Sequence, residues 1–408
     1  MEEELKPKLR FNNFENPWQQ SLLMDQVEIR RGLTYKPSDV RSSGVRVLRS
    51  SNIVDDTFIL SDDDVFVDKG VVNIPKVSNG DILVTAANGS TKLVGKHAIL
   101  KNLPDDEIVV HGGFMLLFKT EQNYFVNAWM SSNEYKRVLQ FVQGGNGAIG
   151  NLSSTVLKSM KMSFPSVQEQ FAIGSLFRTF DELLASYKDN LANYQSLKST
   201  MLSKMFPKDG QTVPEIRLDG FEGKCWEEKK LIDLVSPVSR KVRKPSVPYY
   251  RMSIRSHAKG TFKQYVDDPK KIAMDNLFEV KENDLVVNIT FAWEHAIAVA
   301  SKEDDGLLVS HRFPTFVIDK SDKNFINIYI KREEFRKKMD LLSPGGAGRN
   351  RVLNVKDFIK IQMIVPELEE QQAIGAYFST LDNIIHSHQE KISQLETLKK
   401  KLLQDMFI

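Results

Sequence analysis

The 408-residue sequence lacks the features that mark several large classes of protein. It has a single cysteine, Cys225, which excludes an internal disulfide framework and a zinc site made of cysteines. No apolar run is long enough to cross a bilayer, and the first residues, MEEELKPKLR, are too acidic and polar for a signal peptide. We therefore expect a cytoplasmic chain. Because the net charge is only +3, an argument for a nucleic-acid partner must rest on local charge.

Motifs that hold a cofactor, a metal or a nucleotide are also scarce. The run GGNGAIG (144–150) matches G-x-G-x-x-G, but it follows a helical stretch, whereas a dinucleotide-binding motif follows a strand. Asp219, Glu222 and Lys224 resemble a nuclease D…E-x-K centre, yet the matching segment of the first half has Pro17 in place of the lysine. Neither a P-loop nor an N-P-P-(F/Y) methyltransferase motif occurs, and the seven histidines lack metal-ligand spacing. The sequence therefore predicts no cofactor, no metal site and no catalytic residue.

One long segment occurs twice in the chain. Residues 165–206 and 366–407 align without a gap at an offset of 201, and 15 of their 42 positions are identical. Apolar residues recur at alternating steps of four and three in both copies, which predicts a long helix with a heptad seam that needs a partner helix. Ser166 and Glu169 match a capping box at the start of the first copy. The seam positions are Ile173, Phe177, Phe180, Leu184, Tyr187, Leu191 and Tyr194 in the first copy and Ile374, Phe378, Leu381, Ile385, His388, Ile392 and Leu395 in the second.

Shorter matches extend the repeat over both halves. PKLRFNNFENPW (7–18) resembles PEIRLDGFEGKCW (214–226), and VSNGDILV (77–84) resembles VKENDLVV (280–287). The interiors diverge. Short β-branched runs such as DILVTA and NDLVVNIT predict strands, and stretches such as NYFVNAWMSSNEYKRVLQFV predict helices. Each half is therefore interpreted as a variable, mixed α/β (α+β) domain followed by a common helix.

This order of motifs resembles the specificity subunit of type I restriction-modification systems. The motifs are P-x-(L/I)-R-(F/L)-x-x-F-E, D-(I/L)-(L/V)-V, and P-x-x-x-E-Q-x-A-I before a heptad helix that ends in M-F, each present twice. The resemblance implies two variable α/β target-recognition domains separated by two long antiparallel coiled-coil helices. The expected bounds are 1–165 and 214–365 for the domains, 166–206 and 366–408 for the spacer helices, and 207–213 for the linker.

The resemblance also implies a function. Such a subunit recognises a split target on double-stranded DNA, has no catalytic centre, and recruits methyltransferase (modification) subunits, here expected to be two, with restriction subunits joining through them. The residues by themselves leave two alternatives open. One is a stand-alone DNA methyltransferase or nuclease, for which we find no motif, and the other is a coiled-coil scaffold that does not bind DNA.

Local charge agrees with a DNA ligand. No acidic residue occurs between Asp233 and Asp267, and the matching part of the first half has one acid, Asp39, among six basic residues. Such clusters suit phosphate contacts, and arginine also reads guanine, although a solvated basic surface is the alternative. The candidates are Arg240, Lys241, Arg243, Lys244, Arg251, Arg255, Lys259 and Lys263, interleaved with Tyr249, Tyr250 and His257, and in the first half Arg30, Arg31, Lys36, Arg41, Arg46 and Arg49.

Two polar loops after predicted strands are further candidates for base contacts, because asparagine suits adenine and glutamate suits cytosine. An ordinary surface loop is the alternative for each of these residues. TAANGSTKLVGKHA (85–98) supplies Asn88, Ser90, Thr91, Lys92, Lys96 and His97, and NITFAWEHAIA (288–298) supplies Asn288, Thr290, Trp293, Glu294 and His295. The glycine-rich GGAGRNR (345–351) adds Arg349 and Arg351 as phosphate candidates.

Overall fold

The computed structural model of the chain describes residues 5–142, 150–208, 210–343 and 351–408. The chain divides into two compact units: unit 1, formed by Met1–Asp189 and Gln389–Ile408, and unit 2, formed by Asn190–His388. Both divisions fall inside the two long helices, α5 (Val167–Lys204) and α9 (Leu368–Asp405), so each unit contains part of both. These helices agree with the two long helices predicted from the repeat.

Unit 1 is a mixed α/β domain whose sheets carry the strands predicted from its β-branched runs. Its strands are β1 Gln19–Leu22, β2 Glu28–Arg31, β3 Val40–Arg41, β4 Val45–Leu48, β5 Ile53–Val54, β6 Thr57–Phe58, β7 Val65–Val67, β8 Ile82–Thr85, β9 Ala87–Asn88, β10 His97–Ile99, β11 Val109–His111, β12 Met115–Lys119, β13 Gly150–Asn151 and β14 Lys161–Phe164. Its shorter helices are α1 Leu23–Gln26, α2 Asn123–Ser131, α3 Asn133–Val142 and α4 Ser154–Ser159.

Unit 2 has the same classes of element. Its strands are β15 Glu227–Lys230, β16 Ser236–Val238, β17 Lys241–Arg243, β18 Tyr249–Ile254, β19 Thr261–Val266, β20 Asn276–Glu279, β21 Asp284–Val287, β22 Ile297–Val299, β23 Leu308–Val309, β24 Thr315–Val317 and β25 Gln362–Val365. Its shorter helices are α6 Lys323–Tyr329, α7 Glu333–Leu341 and α8 Val355–Phe358.

The internal repeat is visible in the strand pairing. The pair β1–β14 in unit 1 corresponds to β15–β25 in unit 2, and both are antiparallel. The sheet order β10-β8-β12-β2 in unit 1 corresponds to β22-β21-β24-β16 in unit 2. The remaining large sheets differ, with four strands in the order β11-β4-β7-β3 and five in the order β17-β20-β23-β18-β19. The twofold repeat and the divergent interiors predicted from the sequence are therefore confirmed.

The motif that opens each long helix fastens that helix to its own unit. In unit 1 the buried carboxylate of Glu169 accepts two hydrogen bonds from Arg10, at 2.7 Å from Nε and 2.6 Å from Nη2. The Gln170 amide donates to the carbonyl of Pro165 at 3.0 Å. A Cβ atom on Gly174 would lie 2.9 Å from the backbone nitrogen of Phe125, so only glycine allows this close approach to α2.

The capping box predicted for α5 is therefore only half formed. The Glu169 backbone N–H donates to Ser166 Oγ at 3.4 Å, as an N-cap requires. The Glu169 carboxylate contacts Arg10 instead of completing the box, because the arginine offers a charged, bidentate donor. Arg217 and Glu370 repeat this pair in unit 2, at 2.7 Å from Nε and 2.6 Å from Nη2. The repeated Arg of P-x-(L/I)-R thus has a structural partner in the repeated E-Q-x-A-I motif.

Parts of α5 and α9 pack antiparallel within unit 1. Lys399 Nζ lies 2.6 Å from Asp181 Oδ1, and Lys188 Nζ lies 2.8 Å from Glu396 Oε1. As residue numbers rise along one helix, those of its contacts fall along the other. Phe407, just beyond the end of α9, is buried in the core of unit 1.

Unit 2 shows the same direction of packing. Lys198 forms an ion pair with Asp382, and the rings of Tyr194 and His388 lie 5.4 Å apart. His388 therefore packs on the helix seam, as its heptad position predicted. Phe206, just beyond the end of α5, is buried in the core of unit 2. The buried or half-buried seam positions confirm the heptad pattern.

None of the helices in the described ranges is both long enough and apolar enough to cross a membrane.

Candidate nucleic-acid interface

The strongest candidate surface is the antiparallel pair β18–β19 of unit 2. Side chains alternate between the two faces of a strand, so Met252 and Ile254 of β18 point into the core, where both are buried. Arg251 lies on the opposite face. Its partner strand β19 forms the edge of the five-stranded sheet, and its central residues, 262–265, are all exposed. The basic stretch predicted from the sequence therefore reaches solvent on a rigid element.

The arginines of this surface donate hydrogen bonds to neutral groups. Arg251 Nε donates to Gln264 Oε1 at 2.9 Å, and Arg255 donates to the carbonyl of Thr261. Arg255 also lies over the ring of Phe262, with the guanidinium carbon 5.1 Å from the ring centroid. These contacts orient the guanidinium groups through neutral partners, so they leave the positive charge available to an anionic ligand.

Exposed aromatic rings occur on both faces of the β18–β19 pair: Phe262 shares the face of Arg251 and Arg255, and the cross-strand pair Tyr250 and Tyr265 lies on the other face. The rings of Tyr250 and Tyr265 are 5.0 Å apart, and their exposed fractions are 53% and 57%. Phe262 is also exposed. Sequence reasoning selected Tyr250 but missed Tyr265 and Phe262. The alternating run TFKQYV beside the basic cluster could have revealed both as residues of one exposed strand.

The β18–β19 turn is fixed to the 291–295 loop by three hydrogen bonds. His257 N donates to the Glu294 carbonyl and Ala258 N to the His295 carbonyl, both at 2.8 Å. Ser256 Oγ donates to the Glu294 carboxylate. The loop predicted for base contacts thus lies beside the turn that carries His257 and Lys259, whose side chains are exposed.

Two residues of that loop have structural partners. His295 is buried, and its Nε2 lies 2.7 Å from the carbonyl of Ile330. Burial holds the pKa of His295 below its ordinary value. Asn288 is also buried, and its side-chain oxygen accepts from Thr290 N at 3.1 Å. These contacts favour a loop-shaping role for His295, Asn288 and Glu294.

The Trp293 ring is half-buried and lies under Arg351, whose guanidinium carbon is 5.8 Å from the ring centroid. Arg351 also donates to the carbonyl of Ser343 at 3.1 Å and pairs with Asp340 at 3.3 Å. These partners favour a role for Arg351 in anchoring its segment. Arg349 lies outside the described residues, as do the first two glycines, 145 and 147, of the G-x-G-x-x-G match.

The basic residues 240–244 lie at the opposite edge of the same sheet. Strands β20 and β23 separate β17 from β18, which at ~4.8 Å per strand places the two groups about 14 Å apart. Lys241 and Arg243 are exposed, whereas Lys244 donates to the carbonyl of Ile272 at 2.5 Å. Arg240 pairs with the buried carboxylate of Asp284. This pairing favours a structural role for Arg240.

Arg46 of unit 1 is also held in the structure. Its side chain is 11% exposed and pairs with Asp64 and Glu107, each at 2.7 Å. The hydrogen bond to Glu107 raises the pKa of Arg46 above its ordinary value. Two carboxylates neutralise its charge, so we do not retain Arg46 as a DNA contact.

The other basic candidates of unit 1 lie nearer solvent. Arg31 is exposed and donates to Ser154 Oγ, and Arg49 donates to the carbonyl of Asp63 at 3.4 Å. Lys36 is exposed as well. Carboxylates partly neutralise the remaining two, since Arg30 pairs with Glu28 at 2.6 Å and Arg41 with Asp68 at 3.4 Å.

The 85–98 loop of unit 1 divides into an outer and an inner part. Asn88 donates from Nδ2 to Ser50 Oγ at 3.1 Å and accepts from Ser90 N at 3.0 Å. Ser90 and Lys92 are exposed, and Thr91 begins a 3-10 turn between them. These residues therefore lie next to the end of β4.

Farther along the loop, Lys96 donates to the carbonyl of Ile53. His97 is buried against the carbonyl of Gly95 at 3.0 Å, and burial lowers its pKa. Lys96 and His97 therefore stabilise the fold at this point, and we do not retain His97 as a DNA contact.

The weak nuclease-like motif forms no centre. Lys224 pairs with Glu367 at 2.7 Å, and Glu222 accepts from the backbone of Gly220. Within the part of the chain that the structure describes, no group of three or more His, Cys, Asp or Glu side chains is arranged to hold a metal ion.

Comparisons with known proteins relate this fold to one family. Residues 224–397 match the model of the type I restriction modification DNA specificity domain. The chain is 23% identical to the putative type I restriction enzyme MjaX specificity subunit of Methanocaldococcus jannaschii, over 98% of this chain and 95% of that protein. It is 22% identical to the MjaVIII specificity subunit of the same organism, over 62% of this chain and 63% of that protein. The crystal structure of the S subunit of a type I system from M. genitalium has a similar fold, with a TM-score of 0.60, 14% identity and 99% of each chain covered.

The fold consists of two mixed α/β units, each combined with parts of two long helices, and it is similar to the fold of the S subunit from M. genitalium. The chain is similar over nearly its whole length to a type I restriction enzyme specificity subunit, and residues 224–397 match the specificity-domain model, in agreement with the resemblance seen in its repeated motifs.

Proposed function

We propose that the chain is the DNA sequence-recognition subunit of a type I restriction-modification complex. Each unit would read one part of a bipartite target on double-stranded DNA. The observation that carries this proposal is the exposed β18–β19 surface, where Arg251 and Arg255 donate to neutral partners beside the exposed ring of Phe262. An anionic, base-containing ligand satisfies both kinds of group at once.

In this proposal the chain supplies DNA recognition, and other subunits supply the chemistry. Its exposed arginines, lysines and tyrosines bind phosphates and base edges. The chemistry would be performed by methyltransferase subunits, which we expect to number two, and by restriction subunits that join through them. The chain itself would contribute no catalytic group. This role places it in the cytoplasm, where the DNA to be modified or cut is found.

The test is replacement of Arg251 and Arg255 with alanine in the chain assembled with its methyltransferase subunits. A phosphate role weakens binding to all duplexes and lowers the salt slope by about one for each phosphate-binding side chain removed. A base role relaxes one position of the target by about 1–3 kcal/mol. Binding is measured across a salt series, and the preferred target is read from the methylation pattern on randomised duplex DNA.

Lys356→Ala with Lys360→Ala is the charge-matched control. Both lysines are exposed on or beside α8 of the same unit, and their removal lowers the net charge by the same amount. We expect this control to preserve the preferred target. Equal affinity, salt slope and preference in the arginine variant and the wild type would remove β18–β19 from the interface. Methyl transfer by the purified chain alone would instead favour a stand-alone methyltransferase.

A further inference from the structure

The two units present different side chains from one equivalent turn. In unit 1 the carbonyl of Phe114 accepts hydrogen bonds from Ala86 N at 2.9 Å and Ala87 N at 3.1 Å. In unit 2 the carbonyl of Arg312 accepts from Ile289 N at 3.0 Å. The two units correspond at this point, because Ala86 and Ile289 both follow strands, β8 and β21, that occupy the same place in the corresponding sheets.

A second pair of hydrogen bonds confirms the equivalence. The Ala86 carbonyl accepts from Leu152 N at 2.8 Å, and the Ile289 carbonyl accepts from Leu353 N at 2.9 Å. The same backbone frame therefore carries an aromatic ring in one unit and a guanidinium group in the other.

The turn in unit 1 is tightly packed behind Phe114. A Cβ on Gly32 would lie 2.0 Å from the carbonyl oxygen of Gly112, so the two backbones meet at a distance only glycine allows. Gly112 N also donates to the carbonyl of Leu48 at 2.9 Å. Phe114 itself is 75% exposed. An aromatic ring is thus held out to solvent from a rigid support, which limits the entropy lost when it binds.

Residues of types that commonly contact nucleic acids lie on the segments next to this turn. The turn abuts the segments that carry Arg31 and Arg49, because Gly113 lies against the carbonyl of Leu33, and Gly112 against the carbonyl of Leu48 and the side chain of Arg49. Asn88 directly follows Ala87, whose N–H bonds the Phe114 carbonyl. Basic side chains that suit phosphates and an amide that suits a base edge are therefore carried by segments that adjoin the turn of Phe114.

We propose that Phe114 and Arg312 are equivalent specificity-determining residues, Phe114 contacting the 5-methyl group of a thymine and Arg312 the O6 and N7 atoms of a guanine. This inference rests on the proposed function. Apolar side chains recognise thymine through its methyl group, and arginine recognises guanine through those two acceptors. The repeat would thus keep one reading position and change only the chemistry of its side chain.

The test uses the assembled complex and its preferred target, determined by methylation mapping. Each thymine of the target is replaced in turn by deoxyuridine, which lacks the methyl group, and each guanine by 7-deazaguanine, which lacks N7. We expect one deoxyuridine to weaken wild-type binding by about tenfold, the size of one base contact, and to leave Phe114→Ala binding unchanged. One 7-deazaguanine should distinguish the wild type from Arg312→Ala in the same way.

Phe114→Leu is expected to keep the sensitivity to deoxyuridine, because it keeps an apolar contact. Phe171→Ala is the matched control, since Phe171 is a 57% exposed phenylalanine of the same unit on α5. The inference is overturned if the wild type and Phe114→Ala respond alike to every thymine replacement, including no response from either. A wild-type complex that prefers no duplex sequence at all would overturn the proposed function instead.

Discussion

Replacing Phe407 with alanine tests which unit receives the end of α9. The Phe407 ring is 5% exposed and lies 6.1 Å from the ring of Trp18, 5.7 Å from that of Phe125 and 6.0 Å from that of Phe177. Removal of such a side chain from a packed core costs about 3–5 kcal/mol, from reduced burial and the cavity left behind. Because all three partners belong to unit 1, we expect unit 1 to bear this cost.

Hydrogen exchange followed by mass spectrometry measures the effect by region. A destabilisation of about 3–5 kcal/mol speeds exchange through unfolding of unit 1 by roughly a hundredfold to several thousandfold. We expect this change in peptides from 5–142 and not in those from 210–343. Phe206→Ala is the reciprocal control, since Phe206 packs against Trp226 and Phe325 of unit 2. Greater loss of protection in 210–343 than in 5–142 for Phe407→Ala would refute the antiparallel packing described for unit 1.

Two further predictions concern stability. Arg10→Ala leaves the fully buried carboxylate of Glu169 without its arginine partner, so it should lower the free energy of unfolding by about 3–5 kcal/mol in urea titrations. The double variant Arg10→Met with Glu169→Leu removes both charges and should lower that free energy by less. A decrease below about 1 kcal/mol for Arg10→Ala would contradict this expectation. Burial lowers the pKa of His97 and His295, so below pH ~6.5 the unfolded chain binds more protons than the folded chain, and the melting temperature should fall from pH 7 to pH 5. The double variant His97→Gln/His295→Gln should show a smaller fall, and an equal fall would exclude these histidines as its source.

The sequence by itself determined the repeat, the two long helices and the faces they bury. Helical periodicity shows at every turn, so Ile173, Phe177 and Leu184 could be placed on a buried seam without knowledge of any partner. The E-Q-x-A-I-G motif could be recognised as a repeated unit because it occurs at the same place in both copies of the long segment. Its role in fastening the helix to its unit could not be predicted, because Arg10 lies 159 residues from Glu169 along the chain.

Only the tertiary structure decided how the helices run and which charged groups face solvent. A heptad seam is satisfied by a parallel or an antiparallel partner, and the direction follows from contacts such as Lys399 with Asp181, 218 residues apart. The sequence of a basic run likewise does not show which carboxylates, distant along the chain, pair with it in the fold. Arg46 was grouped with surface arginines, yet Glu107 lies 61 residues away and neutralises it. Phe114 became visible only because folding fixes its backbone in a turn, through the hydrogen bonds to its carbonyl, and leaves its ring in solvent.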